Sequence, residues 1–460
     1  MVQNTTVPSH PTQSHRTGWV SNPSHRGTLN ILESCLFTIV LCTWSVLHLN
    51  VPAPNDGSVA KLLRKVKWMA ITVAFPEFIL ALALSQLGSA WEVLDTFKKA
   101  GLPVHRAFHD RGRWGVSKGA SSGSNCRLEE EWTLTHIFFV NMGGVRVRRE
   151  GGDRSGSGAD YSILVTASQL VQWKDEGWYA MQIFPLADIK DKSKVDIFTK
   201  ALTVMQILWL VISVIARSAY HLPCSQLEIL TLAFAACAVP TYATLWFKPK
   251  DVETPMYIGA SAHSYDALRS ALRDSSVSNS FISDTLAIRP THSYGASGDR
   301  IPNDSYRRLE EASVQSVTTW LAIATLVFGS IHVAAWNFDF PTPVERMLWR
   351  VCSILSSTIP SVLFVIDALN AKLQVLRDRG IEEDPDPDDD FGAVIYRADC
   401  LTTLLFDCCG SIIHSLLVLA FTTIYMVSRL IIIALALTSL RSMPDGVYKV
   451  TWAKNIPNVG

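Results

Sequence analysis

Five ionisable side chains fall within stretches otherwise apolar enough for lipid: Glu33, Glu77, His332, Asp407 and His414. A charge in hydrocarbon is costly unless it is paired or hydrated, so each is a candidate member of an intramembrane polar site. Pro76-Glu77 is the most suggestive pair. Proline removes a backbone hydrogen bond and frees a carbonyl beside the carboxylate, a combination that can bind a cation or a proton where a transporter helix is broken. Asp407 and His414 are two helical turns apart, on one face and about 10 Å apart along the axis. With Glu33 or Glu77 opposite, they compose a proton relay. The competing reading is packing: a kinked helix whose glutamate bonds a neighbour, and interhelical hydrogen bonds from the rest.

Other chemistries find little support. His136 has no second ligand at metal spacing, and the acidic run Asp384 to Asp390 has Asp389 where a calcium loop needs its turn glycine. Six of the nine cysteines lie in apolar stretches, and no CxxC pair is present. Walker A, GxGxxG and HExxH patterns are absent, and the last apolar run has no lysine for a retinal Schiff base. The sequence therefore names no catalytic residue, metal or cofactor, and leans away from an enzyme.

The elements that must position the five residues follow from hydropathy. The chain has 460 residues, 48% of them hydrophobic and only 18% charged, with a mean hydropathy of +0.20, too apolar for an ordinary soluble domain. A hydrocarbon core about 30 Å thick needs about 20 apolar residues of helix. That length picks out 29–49 and 70–87, a first hairpin within 29–87; 201–220 and 227–246 within 200–247; 317–336 and 347–369; and a run from 401 to 440. The last run is read as helix seven ending near Val427, with Arg429 interrupting it before a possible short eighth helix. The fold class is thus all-α, a polytopic helical membrane bundle of about seven spans. A tail, 1–28, is predicted disordered and lacks a cleavable signal peptide; 88–199 forms an extramembrane loop or small cap; 248–316 is a disordered loop; 370–400 is an acidic loop; and 441–460 is a C-terminal tail.

Lys and Arg equal Asp and Glu at 41 each, so no general attraction to nucleic acid is expected and the bilayer is the partner. Lys61, Arg64, Lys65 and Lys67 place the first loop in the cytosol by the positive-inside rule, with the N-terminus outside and Arg217 and the Arg346 to Arg350 turn inside. Both N-glycosylation sequons, at Asn4 and Asn303, then lie on the outer or lumenal side. Plasma membrane and endomembrane are both compatible.

Several landmarks recur in order along the chain: Cys42 to Pro52, Lys67-Trp68-Met69, Pro76-Glu77, the Trp132 to Gly144 segment, His221-Leu222-Pro223, Ala335 to Phe338 through Trp349-Arg350, and Leu440 to Pro444 with Trp452. Together they resemble a large uncharacterised family of multi-pass membrane proteins of filamentous fungi. The resemblance implies a fungal source and one continuous membrane domain, and it supplies no activity. Where that family has Pro-His near its end, this chain has Pro457-Asn458. Two functions are carried forward: binding or transport of a small solute or ion at the polar centre, and a membrane scaffold or sensor whose long loops recruit partners.

Overall fold

In hydrocarbon every backbone N–H and C=O must find a partner within the protein, so the apolar runs fold as helices. The structure, a computed structural model, describes residues 16–20, 26–104, 131–150, 162–175, 184–193, 197–273, 279–285, 300–306, 312–378 and 410–452. After a short strand β1 (Arg16–Thr17) come α1 (Thr28–Val46), α2 (Ser58–Ala74) and α3 (Pro76–Lys99). A cap follows, built from α4 (Leu134–Phe139), β2 (Val145–Arg149), β3 (Ser162–Leu164), α5 (Ala167–Asp175) and α6 (Leu186–Lys192). Then come α7 (Ile197–Ala219), α8 (Gln226–Thr244), β4 (Met256–Ala260), α9 (Ala262–Arg273), β5 (Asn279–Ser280), α10 (Phe281–Thr285) and β6 (Ser305–Tyr306). The chain ends with α11 (Ala312–Ala334), α12 (Pro343–Asp378), α13 (Gly410–Thr438) and β7 (Met443–Pro444).

Among the described residues seven helices are long and apolar enough to cross a membrane: α1, α3, α7, α8, α11, α12 and α13. Their outward faces are apolar, with Leu36 and Val40 on α1, Leu208 and Ile215 on α7, and Leu416, Leu419 and Leu430 on α13 all exposed. The chain is an integral membrane protein with the predicted all-α bundle. Tight packing uses small residues: a Cβ placed on Gly329 of α11 would lie 1.7 Å from Ser357 Oγ of α12, so only glycine allows these helices to approach so closely.

The second predicted span is not one helix. Phe75 leaves helical geometry at φ −138° and ψ 64°, and Pro76 starts α3, where its missing N–H costs nothing. Both outer ends of this broken hairpin lie on the same face of the bundle. Near the start of α2, Arg64 Nη2 donates to Asn50 O at 2.9 Å and Lys65 pairs with Asp251 at 3.1 Å. The second half of α3 carries Ala90, Val93, Leu94 and Phe97 into the cap core. The first loop and the segment after α3 are therefore on one side, which corrects their expected placement on opposite sides. Val51 itself packs in the cap core, and its N–H donates to Met142 O at 2.9 Å.

The opposite face gathers the chain ends. β1 pairs antiparallel with β7, Arg16 opposite Pro444 and Thr17 opposite Met443, so the predicted disordered tail is ordered at 16–20. Arg26 bonds Glu228, and Arg217 donates to the carbonyls of Pro223, Gly446, Val447 and Lys449 at 2.7 to 3.1 Å. Ends on one face require an even number of traverses. α1, α7, α8, α11, α12 and α13 supply six, and the α2–α3 hairpin enters and leaves on the cap side.

Other boundaries also shift. α13 runs unbroken through Arg429, so the predicted stop near Val427 and the separate eighth helix do not occur. α12 continues to Asp378, beyond the expected end at 369. Much of the predicted disordered loop 248–316 is structured: β4 lies parallel to β2, with β3 on β2's other edge, and Tyr265 and Leu268 of α9 enter the cap core. Trp246 stays exposed as an interfacial ring should, whereas Trp349 and Trp68 are buried in helix contacts. Residues 401–409 and the acidic run lie outside the described residues.

Candidate functional site

The break between α2 and α3 lies about halfway through the bundle, alongside Phe328, twelfth residue of the α11 span that begins at Val317, and Tyr425 of α13. A helix that stops in hydrocarbon exposes its last carbonyls, and one that starts there exposes its first N–H groups. Glu77 takes the second position of α3, where the partial positive charge of the helix start favours a carboxylate. It is 1% exposed, as is Arg429 of α13.

The two form an ion pair across the break. Arg429 Nε lies 3.1 Å from Glu77 Oε1, and Nη2 lies 3.4 Å from Oε2. The Nε contact is Coulombic, since its N–H is not aligned for a hydrogen bond. Nη2 also donates to Ala74 O, the last carbonyl of α2, at 3.1 Å. One guanidinium thus serves both sides of the break. The Tyr425 hydroxyl, one turn before Arg429 on α13, donates to Glu77 Oε1. Phe75 packs on Tyr425 with ring centroids 5.7 Å apart, and the Arg429 guanidinium carbon sits 3.9 Å over the Phe328 ring.

His332 lies one turn beyond Phe328, fully buried. Its Nδ1 lies 2.8 Å from Phe328 O, and its ring is 4.5 Å from Phe328 and 5.7 Å from Trp349. Trp349 Nε1 in turn donates to His332 O at 3.1 Å. An Nδ1–H bonded to that carbonyl leaves Nε2 as an acceptor, and Nε2 is buried with no hydrogen-bond partner among the described residues. Arg429 Nη1 is likewise buried with no hydrogen-bond partner among the described residues. The centre is a neutral Glu–Arg pair with Tyr425 on the carboxylate, aromatic walls, and unused polar atoms on Arg429 and His332.

Of the five predicted residues, Glu77 and His332 come together around Phe328 and Arg429. Glu33 does not: it is exposed on the outward face of α1 that also carries Leu36 and Val40. Asp407 lies outside the described residues, and so does the side chain of His414, although its backbone belongs to α13. Arg429 and Tyr425 were missed as site residues. The signal for Arg429 was present, since an arginine within an apolar run needs an anion as much as Glu77 needs a cation.

His136 is a structural residue. Its Nδ1 caps α4 through Thr133 N at 3.1 Å and Oγ1 at 2.8 Å, and its Nε2 meets Phe184 O at 2.9 Å. Asn303 sits in a turn before β6, its Oδ1 accepting from Asn50 N at 2.8 Å; Asn4 is outside the described residues.

A family model described as a family of unknown function, DUF8562, matches residues 2–314 and 310–459. No curated protein and no solved structure matches the chain.

Proposed function

We propose that this chain, which belongs to the DUF8562 family of unknown function, binds and moves a small solute or ion by opening the ion pair that closes its broken hairpin. The observation that carries this reading is the Glu77–Arg429 pair, because a single arginine ties α13 to both arms of the hairpin at mid-membrane depth. Discontinuous helices that meet in the bilayer are where transporters place their sites, since only there does irregular backbone offer charge and hydrogen bonds to a solute. Protonation of Glu77 removes its attraction for Arg429, and an anion arriving at Arg429 takes the carboxylate's place. A proton and an anion would then enter together, leaving the site's charge unchanged.

The test uses purified protein in liposomes loaded with a trapped pH-sensitive dye, challenged with a panel of di- and tricarboxylates, amino acids and inorganic ions under an imposed pH gradient. At least one panel member should carry protons in the wild type and none in Glu77→Gln. Absence of solute-dependent proton movement in folded wild type, or its persistence in Glu77→Gln, would sink this reading.

A second reading, a membrane scaffold or sensor, is favoured by one observation: both Glu77 oxygens are already occupied, Oε1 by Tyr425 and Arg429 and Oε2 by Arg429. Under it, Glu77→Gln lowers stability without altering any flux, and the cap supplies the surface for partners.

A further inference from the structure

Where α2, α8 and the cap meet, the charges do not balance. Lys248, four residues beyond α8, is 6% exposed. Its Nζ donates to Asn50 Oδ1 and Gln86 Oε1, each at 3.0 Å, both neutral acceptors. No carboxylate pairs with it among the described residues, and burial pulls its pKa down to about 7. Arg64, whose Nη2 donates to the backbone carbonyl of the same Asn50, has Nε and Nη1 buried with no hydrogen-bond partner among the described residues. Burial lowers its pKa, and the charge of nearby Arg300 lowers it further.

The carboxylate facing this group is Asp56. Its Oδ2 lies 3.4 Å from Arg300 and also accepts from Ala53 N at 3.1 Å. Lys65 and Asp251 beside it form a balanced pair of their own. With Lys248 protonated, three cations face one carboxylate and leave two positive charges, held on a rigid frame. Asn50 is that frame: its N–H donates to Asn303 Oδ1 at 2.8 Å and its Nδ2 to Pro302 O at 2.6 Å.

A fold that holds one buried and one half-buried cation unmatched, around unused donors, sacrifices stability unless an anion completes the group. We infer that this junction is a binding site for a dianionic phosphate monoester, with buried Lys248 and half-buried Arg64 as its ligands and Arg300, 41% exposed, at its rim. A tetrahedral phosphate presents oxygens in several directions, which suits an ammonium and a guanidinium arriving from different elements. Two sources share that chemistry: a soluble phosphate monoester, and a lipid whose headgroup ends in one.

The experiment measures saturable binding of radiolabelled inorganic phosphate to the full-length protein in detergent, with chloride at matched ionic strength as control. A second arm measures thermal stability in nanodiscs with and without phosphatidate. Saturable phosphate binding supports a soluble ligand, and stabilisation by phosphatidate without it supports the lipid. Arg64→Gln and Lys248→Met should each weaken the effect at least tenfold, while Lys65→Met should leave it within twofold. Should the buried variants fail to fold, Arg300→Gln at the rim still reads out, with a loss of several-fold. The inference is overturned if neither arm responds in the wild type, or if the response survives every folded variant among these three cation replacements.

Discussion

Removing Arg429 alone should be far more harmful than removing it together with Glu77. Arg429→Met leaves a carboxylate, 1% exposed, beside a tyrosine hydroxyl and no cation, and strips the donor from Ala74 O. Breaking a buried pair by deleting one partner costs about 3–5 kcal/mol, whereas exchanging the whole pair for apolar side chains is often neutral or favourable. Glu77→Leu and Arg429→Met should therefore each destabilise by about 3–5 kcal/mol. The double variant should be less destabilised than either, although Tyr425 and Ala74 O would still lack partners, which leaves about 1–3 kcal/mol unrecovered. The coupling energy from the double-mutant cycle should then be about 3 kcal/mol or more. The assay is denaturant unfolding of purified protein in mixed micelles, followed by the fluorescence of buried tryptophans such as Trp349. Costs that add to within about 0.5 kcal/mol would mean the two residues do not act as a pair, and the reasoning would fail.

Two further outcomes follow from the cap face. By the positive-inside rule its basic residues Lys61, Arg64, Lys65, Lys67, Lys248 and Lys250 predict a cytosolic cap face and paired chain ends outside, together with Arg217 and the Arg346 to Arg350 turn, which were expected inside but lie on the chain-ends face. Asn303 lies on the cap face with its Oδ1 bonded to Asn50, and the sequon's Asp304 is buried against Ser280 and Ile282. In a glycosylating host, the mobility shift on deglycosylation should vanish in Asn4→Gln and persist in Asn303→Gln; a shift that depends on Asn303 would reverse the orientation. Lys248 predicts a pH dependence. Its folded pKa of about 7 lies below the ordinary 10.5, so between those values the unfolded chain holds a proton that the folded chain has released. In phosphate-free buffer, stability should therefore rise with pH above about 7, by at most about 1.4 kcal/mol per unit, and this contribution should be flat below. Melting temperatures from pH 6 to 9 check it, and an unchanged slope in Lys248→Met would refute it.

Span content was legible because hydrophobic length is a local property. Ile31, Cys35 and Leu227 read as membrane residues in any register, and they are buried together in the bundle. What hydropathy cannot distinguish is a helix that crosses from one that returns. The window from Ala70 to Leu87 is apolar across Phe75 and Pro76, so it reads as one span. Only the contacts of Arg64 with Asn50, and of Phe97 with Trp132 at 4.7 Å, reveal that both arms end on the same side. The ordered part of 248–316 was hidden for a related reason. Met256 to Ala260 gains its strand partner from β2, a pairing separated by more than a hundred residues, and no local composition encodes it.

The site shows the same division between residue type and residue partner. Glu77 was identified because a carboxylate in hydrocarbon must be answered, and Pro76 showed where backbone groups would be left open. The sequence could not say which residue answers, and proximity along the helix favoured Asp407 and His414. Arg429 was instead read as the point where the last helix leaves the membrane, since one unpaired arginine in an apolar run is a natural stop. Its side chain is 1% exposed within an unbroken helix, and that burial reverses the meaning of the charge. A surface arginine would end the span, whereas a paired one holds the span against the hairpin. Two charges that each looked like a local fault in hydropathy, 352 residues apart, cancel in three dimensions at the place where the backbone is broken. The cost of either charge alone is what makes the contact specific, so any motion of α2–α3 past α13 must first neutralise or replace one of them.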